Sequence, residues 1–97
     1  MAQANVVKLD GFNETLKWTF GLINHQGKYL TAEKFQCRIS CGATSLRLKQ
    51  VWTLEPRENG KVVFKSYLNK YIGADKNGKV FGDTDFDDLT PDNEFEI

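Results

Sequence analysis

Few residues in this chain have the types that do covalent or metal chemistry. It holds one histidine, His25, and two cysteines, Cys37 and Cys41. A nucleophile–base pair among them would need a chance meeting, because their spacing matches no catalytic signature. On a strand, the C-x3-C spacing sets both thiols on one face. Their Cα atoms are then roughly 13 Å apart at about 3.3 Å per residue, too far for one metal ion. His25 falls in a turn and is expected to face solvent. Asp83, Asp85, Asp87 and Asp88 cluster, yet lack the glycine and terminal glutamate of a calcium loop, so they read as an acidic surface loop. The basic residues form no long run interleaved with aromatics, which argues against nucleic acid. The expectation is a non-enzyme with no metal, no cofactor, no small-molecule substrate and no nucleic-acid partner.

Charge offers more. The net charge is zero, but residues 16–74 carry ten Lys or Arg against Glu33, Glu55 and Glu58, and residues 75–97 carry two Lys against eight acids. Such a split can present a basic face to an acidic partner. Ninety-seven residues allow one domain at most, and 40% hydrophobic with 12% aromatic content is that of a globular chain. No stretch approaches the roughly 20 apolar residues of a membrane span, so no membrane insertion is expected. Residues 1–15 lack the basic start and apolar run of a secretory signal. Residues 1–16 therefore read as a polar, poorly ordered leader, and the chain as cytosolic with reduced thiols.

The elements that must position any site are strands. Trp18–Ile23 is β-branched and aromatic, residues 24–27 are a turn ending in Gly27, and Tyr29–Ala32 returns as the second arm of a hairpin. Residues 38–41 alternate before Gly42 breaks the pattern, and a fourth strand runs over 50–54. The sequence then says nearly the same thing again. KYLTAEK at 28–34 returns as KYIGADK at 70–76, 42 positions later. Lys61–Ser66 precedes the second copy, and Tyr71–Ala74, residues 79–81 and residues 94–97 follow as strands, with 83–92 as a loop. No segment has convincing helical periodicity, and 43–49 is too short for an independent helix.

Four short strands per unit of roughly 40 residues predict an all-β barrel or sandwich. A barrel of three such units is the β-trefoil; here two are visible, about 17–59 and about 60–97. The fold class is thus all-β, a partial β-trefoil over 17–97 after the leader. Three units need about 120 residues, so the chain is expected to be a piece of a longer protein. The recurring aromatics Trp18, Phe20, Tyr29, Trp52, Phe64, Tyr71 and Phe95 are assigned to the barrel core.

The series Phe20-Gly-Leu-Ile-Asn24, Lys28-Tyr-Leu-Thr-Ala-Glu33, Ser45-Leu46 and Gln50-Val-Trp-Thr-Leu-Glu55 closely resembles the start of fascin, an actin-bundling family built from four β-trefoils. Lys65-Ser66, Asn69-Lys-Tyr71 and Ala74-Asp75 extend the resemblance, which runs from about Trp18 to Ile97. It implies part of the first trefoil, with F-actin as partner and a place in the cytoplasm, in filament bundles and cell projections. Carried over by position, the actin-contacting residues are Lys28, Ser45, Arg47 and Lys49. The family tends to have three consecutive basic residues after Ser-Leu; here Leu48 interrupts them. Ser45, just before Leu46-Arg47, matches a serine whose phosphorylation weakens actin binding in the family. A phosphate would add about −1.5 to −2 charge beside Arg47 and Lys49. A competing class rests on Gln50-Val-Trp52, a Q-x-W triplet found in ricin-type trefoil lectins, which would make the chain a carbohydrate-binding module. The second unit has Asn93-Glu-Phe95 there instead.

Overall fold

Strand formation follows the β-branched and aromatic runs. In the computed structural model, which describes residues 5–8 and 18–96, nine strands are joined in one antiparallel sheet. They are β1 (Asn5–Lys8), β2 (Trp18–Ile23), β3 (Tyr29–Ala32), β4 (Ile39–Ala43), β5 (Trp52–Pro56), β6 (Lys61–Ser66), β7 (Tyr71–Ala74), β8 (Val80–Thr84) and β9 (Phe95–Glu96). Short 3-10 turns link them, and there is no α-helix among the described residues. β1 lies within the segment expected as a leader; the rest of that segment falls outside the described residues.

The strand order β4-β3-β2-β5-β6-β7-β8, with β9 on β6 and β1 on β2, is that of two four-stranded units side by side. Their registers agree. The first hairpin pairs Ile23 with Tyr29, and the second pairs Lys65 with Tyr71, each residue 42 positions on. Both inner hairpins slip register at the same place, between Tyr29 and Thr31 and between Tyr71 and Gly73. The turn before each inner hairpin is built alike. Lys28 O accepts from Asn24 N–H and Lys70 O from Ser66 N–H, at 2.9 and 2.8 Å. The residue ahead of each lysine is left-handed, Gly27 at φ 76° and Asn69 at φ 62°. Only glycine or a short amide accepts that conformation cheaply. The architecture is a partial β-trefoil.

The core lies where the units meet, around Leu22, Ala32, Trp52, Val62, Phe64 and Ile72. The β3–β4 and β7–β8 hairpins close on one another. Gly82 has no room for a Cβ because the Ile39 side chain and the Cys37 carbonyl sit over it. Of the aromatics assigned to the core, Phe20, Trp52, Phe64 and Tyr71 are buried, and Tyr29 and Phe95 are half-buried. Trp18 is a correction, at 46% exposed. It stands at the first position of β2, one layer out from Phe20, with its ring stacked on Phe20 at 6.2 Å. Several element bounds also differ from expectation: β8 runs to Thr84, which takes Asp83 out of the expected 83–92 loop, and β5 runs on to Pro56. β4 runs through Gly42, because pairing of Ala43 with Tyr29 holds the strand past the glycine. Gln50 belongs to a 3-10 turn rather than to β5.

Candidate functional site

Lys28 and Ser45 leave the same end of one ladder. β3 begins at Tyr29, its partner Ala43 ends β4, and the two strands are antiparallel. Lys28 is therefore one residue before the ladder and Ser45 two residues beyond it. The loop carrying Lys28 is fastened by Asn24, whose Oδ1 accepts from Gln26 N–H and Lys28 N–H at 2.9 and 3.0 Å. Cys41 ties the loop to β4. Its Sγ accepts from Asn24 Nδ2 at 3.4 Å and donates to the Lys28 carbonyl at 3.6 Å. Both cysteines are free thiols, Cys41 exposed and Cys37 partly so, and His25 is exposed.

Beyond Ser45 the chain is pinned by Leu46. A Cβ at Gly21 would stand 2.5 Å from Leu46 Cδ1 and 3.1 Å from Tyr29 Cε1, so the bare glycine makes the seat for Leu46. The chain then makes a single 3-10 turn, Leu48–Gln50, with Arg47 ahead of it. Arg47, Leu48 and Lys49 are all exposed, Leu48 at 65%. Beneath them Gln50 is buried. Its Oε1 accepts from Arg47 N–H at 2.9 Å, and its Nε2 donates to Thr31 Oγ1 at 3.1 Å. A single amide thus holds the turn and roots it in β3. The next residue but one, Trp52, is fully buried and donates from Nε1 to the Leu30 carbonyl at 3.0 Å.

The four residues selected from the sequence are not equivalent. Lys28 and Ser45 flank one end of the β3–β4 ladder. Lys49 leans toward the other end, where its Nζ is 3.8 Å from Glu33 Oε1. Glu33 Oε2 also accepts from Ser40 Oγ at 2.9 Å. An exposed pair at that distance leaves most of the lysine charge available. Lys28 and Arg47 have no carboxylate within ion-pair distance among the described residues. Sequence reasoning missed Gln50, Thr31 and Leu46 as the residues that hold the site. A signal was present for the first, since an amide stands two positions before Trp52 and again two before Phe95.

The second unit repeats the scaffold with other chemistry. Thr90 precedes a 3-10 turn, Pro91–Asn93. Buried Asn93 accepts from Thr90 N–H at 3.0 Å and donates to Ile72 O and Thr84 Oγ1 at 3.2 and 3.1 Å. Thr90, Pro91 and Asp92 stand where Arg47, Leu48 and Lys49 stand in the first. Lys70, the counterpart of Lys28, donates to Asp85. That hydrogen bond and the aspartate charge hold its ammonium above the ordinary lysine range.

A model of the fascin domain matches residues 26–97. Among curated proteins, the chain is 39% identical over 83 residues to fascin of Strongylocentrotus purpuratus, covering 84% of this chain and 17% of that protein. It is 42% identical over 74 residues to fascin-2 of Bos taurus and 40% to fascin-2 of Mus musculus, each match covering 73% of this chain and 15% of the relative. The chain therefore spans about one sixth of the length of these relatives. With the family model covering most of its residues and the two-unit trefoil beneath it, this chain belongs to the fascin family.

Proposed function

We propose that the chain forms part of an F-actin contact in a fascin-type protein that cross-links filaments into bundles in the cytoplasm and in cell projections. It does so as a non-enzymatic scaffold. One observation carries this reading: exposed Arg47 and Lys49 ride on a turn whose backbone is held by a buried amide, two and four positions after exposed Ser45. Actin filaments are acidic, and positive groups on a fixed turn complement carboxylates without first having to be ordered. Ser45 is exposed next to this group. A phosphate there would place negative charge beside Arg47 and weaken the contact. Bundling needs two filament sites on one rigid body, and the chain offers a single candidate face. In ricin-type lectins the Q-x-W triplet also builds the core, so the burial of Gln50 and Trp52 fits either class; what weighs against the lectin reading is that the triplet does not return in the second unit, which has Asn93-Glu-Phe95.

High-speed co-sedimentation of the 97-residue chain with F-actin tests the reading. The chain is expected to pellet with filaments, less so as salt rises. Arg47→Glu with Lys49→Glu should weaken binding by about tenfold or more, and Ser45→Glu by less. At low speed the chain alone should form no bundles. Equal pelleting of parent and variants at every salt concentration would sink the proposal.

A further inference from the structure

β1 pairs with β2 in a register that has a counterpart elsewhere in the molecule. Asn5, Val6, Val7 and Lys8 oppose Ile23, Leu22, Gly21 and Phe20. In the second unit, Thr53, Leu54, Glu55 and Pro56 of β5 oppose Lys65, Phe64, Val63 and Val62 of β6. The two acceptor sets are 42 positions apart, residue for residue, and both pairings are antiparallel. β1 thus lies against the first strand of unit one as β5 lies against the first strand of unit two. β5 is the fourth strand of the preceding unit. In a trefoil with threefold repetition, the strand preceding unit one around the barrel is the fourth strand of unit three.

The other edges agree. β5 also pairs with its own unit's first strand, Thr19 with Thr53 and Phe20 with Trp52. β9 does the same in unit two, Lys61 with Glu96 and Val62 with Phe95. Each first strand therefore has one edge for the fourth strand of its own unit and one for that of the unit before. Of the two first strands, β6 has both edges taken, whereas β2 without β1 would have its outer edge open, and an open edge invites pairing. We propose that Asn5–Lys8 is a surrogate closing strand, seated on the edge of β2 that the fourth strand of a third trefoil unit takes. Its Val6-Val7 core suits a strand. One edge accepts one strand, so a third unit that closed the barrel would displace residues 5–8.

Register is the decisive measurement, because a slip by one residue turns every side chain to the other face and ends the equivalence with Thr53–Pro56. In the 97-residue chain, cross-strand nuclear Overhauser effects are expected between Val6 and Leu22 and between Val7 and Gly21. Val6→Pro and Val7→Pro give a second readout, since successive residues point their N–H groups to opposite edges and proline removes one of them. At least one variant should speed hydrogen exchange of the β1-facing amides among residues 20–23 by about tenfold or more. Amides of residues 62–64 should be unchanged in that variant. Missing cross-strand effects, a shifted register, or parental exchange in both variants would overturn the proposal.

Discussion

The turn at Arg47–Gln50 and the turn at Thr90–Asn93 are the same object with opposite surfaces. Arg47 and Thr90 enter at φ −127° and −128°, and each donates its N–H to a buried amide three residues on. What projects outward differs: Arg47, Leu48 and Lys49 in one, Thr90, Pro91 and Asp92 in the other. The lysines before the inner hairpins differ in the same sense, with Lys70 held by Asp85 and Lys28 facing no such carboxylate among the described residues. Buried positions answer to geometry common to both units, so they repeat. Exposed positions are released from that demand and are free to differ, and under the proposed function the first turn is the one that meets the filament.

The largest expected effect breaks the shared part. Trp52 is fully buried and spends its indole N–H on Leu30. Trp52→Ala should cost about 3–5 kcal/mol in urea unfolding through the cavity it leaves. Its counterpart Phe95 is half-buried and packs on Phe64 at 5.9 Å. Phe95→Ala should cost about half as much, in proportion to the area it hides. Equal losses would mean that the two units are not ranked by burial, and that the core sits elsewhere than around Trp52.

The buried amides come next, and they separate stability from binding. Gln50→Leu leaves Arg47 N–H and Thr31 Oγ1 without their partner. Asn93→Leu removes bonds to Thr90, Ile72 and Thr84. Each change should lower stability by about 1–3 kcal/mol, with Asn93 the costlier because it makes more bonds at 1% exposure. Under conditions where both variants are folded, Gln50→Leu should weaken filament co-sedimentation and Asn93→Leu should not. Parallel losses of binding in the two variants would detach the contact from the first turn.

How legible this was depended on range. The hairpins were readable because Gly27, Asn69 and the strand residues around them act within a few positions, and because KYLTAEK and KYIGADK state the period outright. Of the selected basic residues, Arg47 and Lys49 are exposed and Lys28 is half-buried. What escaped was set by tertiary contact. The seat of Leu46 over Gly21 spans 25 positions, and nothing local marks Gly21 as a socket. The lean of Lys49 toward Glu33 depends on the 3-10 turn crossing β3. Trp18 has the composition of a core residue and was read as one, yet strand position puts it at the rim. β1 is four residues long, and its partner edge exists only once the first unit has folded.

The smallest change in stability sharpens the comparison most. Leu48 is 65% exposed between two charges, so replacing it buries and uncovers almost nothing. Leu48→Lys should leave stability within about 0.5 kcal/mol of the parent. It completes three consecutive basic residues on the tip of the first turn. The proposed filament contact should then tighten by roughly two- to fivefold at low salt, and the gain should shrink as salt screens the added charge. The same change of one positive unit on the second turn, Asp92→Asn, should not change binding, because that turn belongs to the other copy of the scaffold. If Leu48→Lys and Asp92→Asn tighten binding equally, the filament responds to net charge alone, and the difference between the two turns loses its functional meaning.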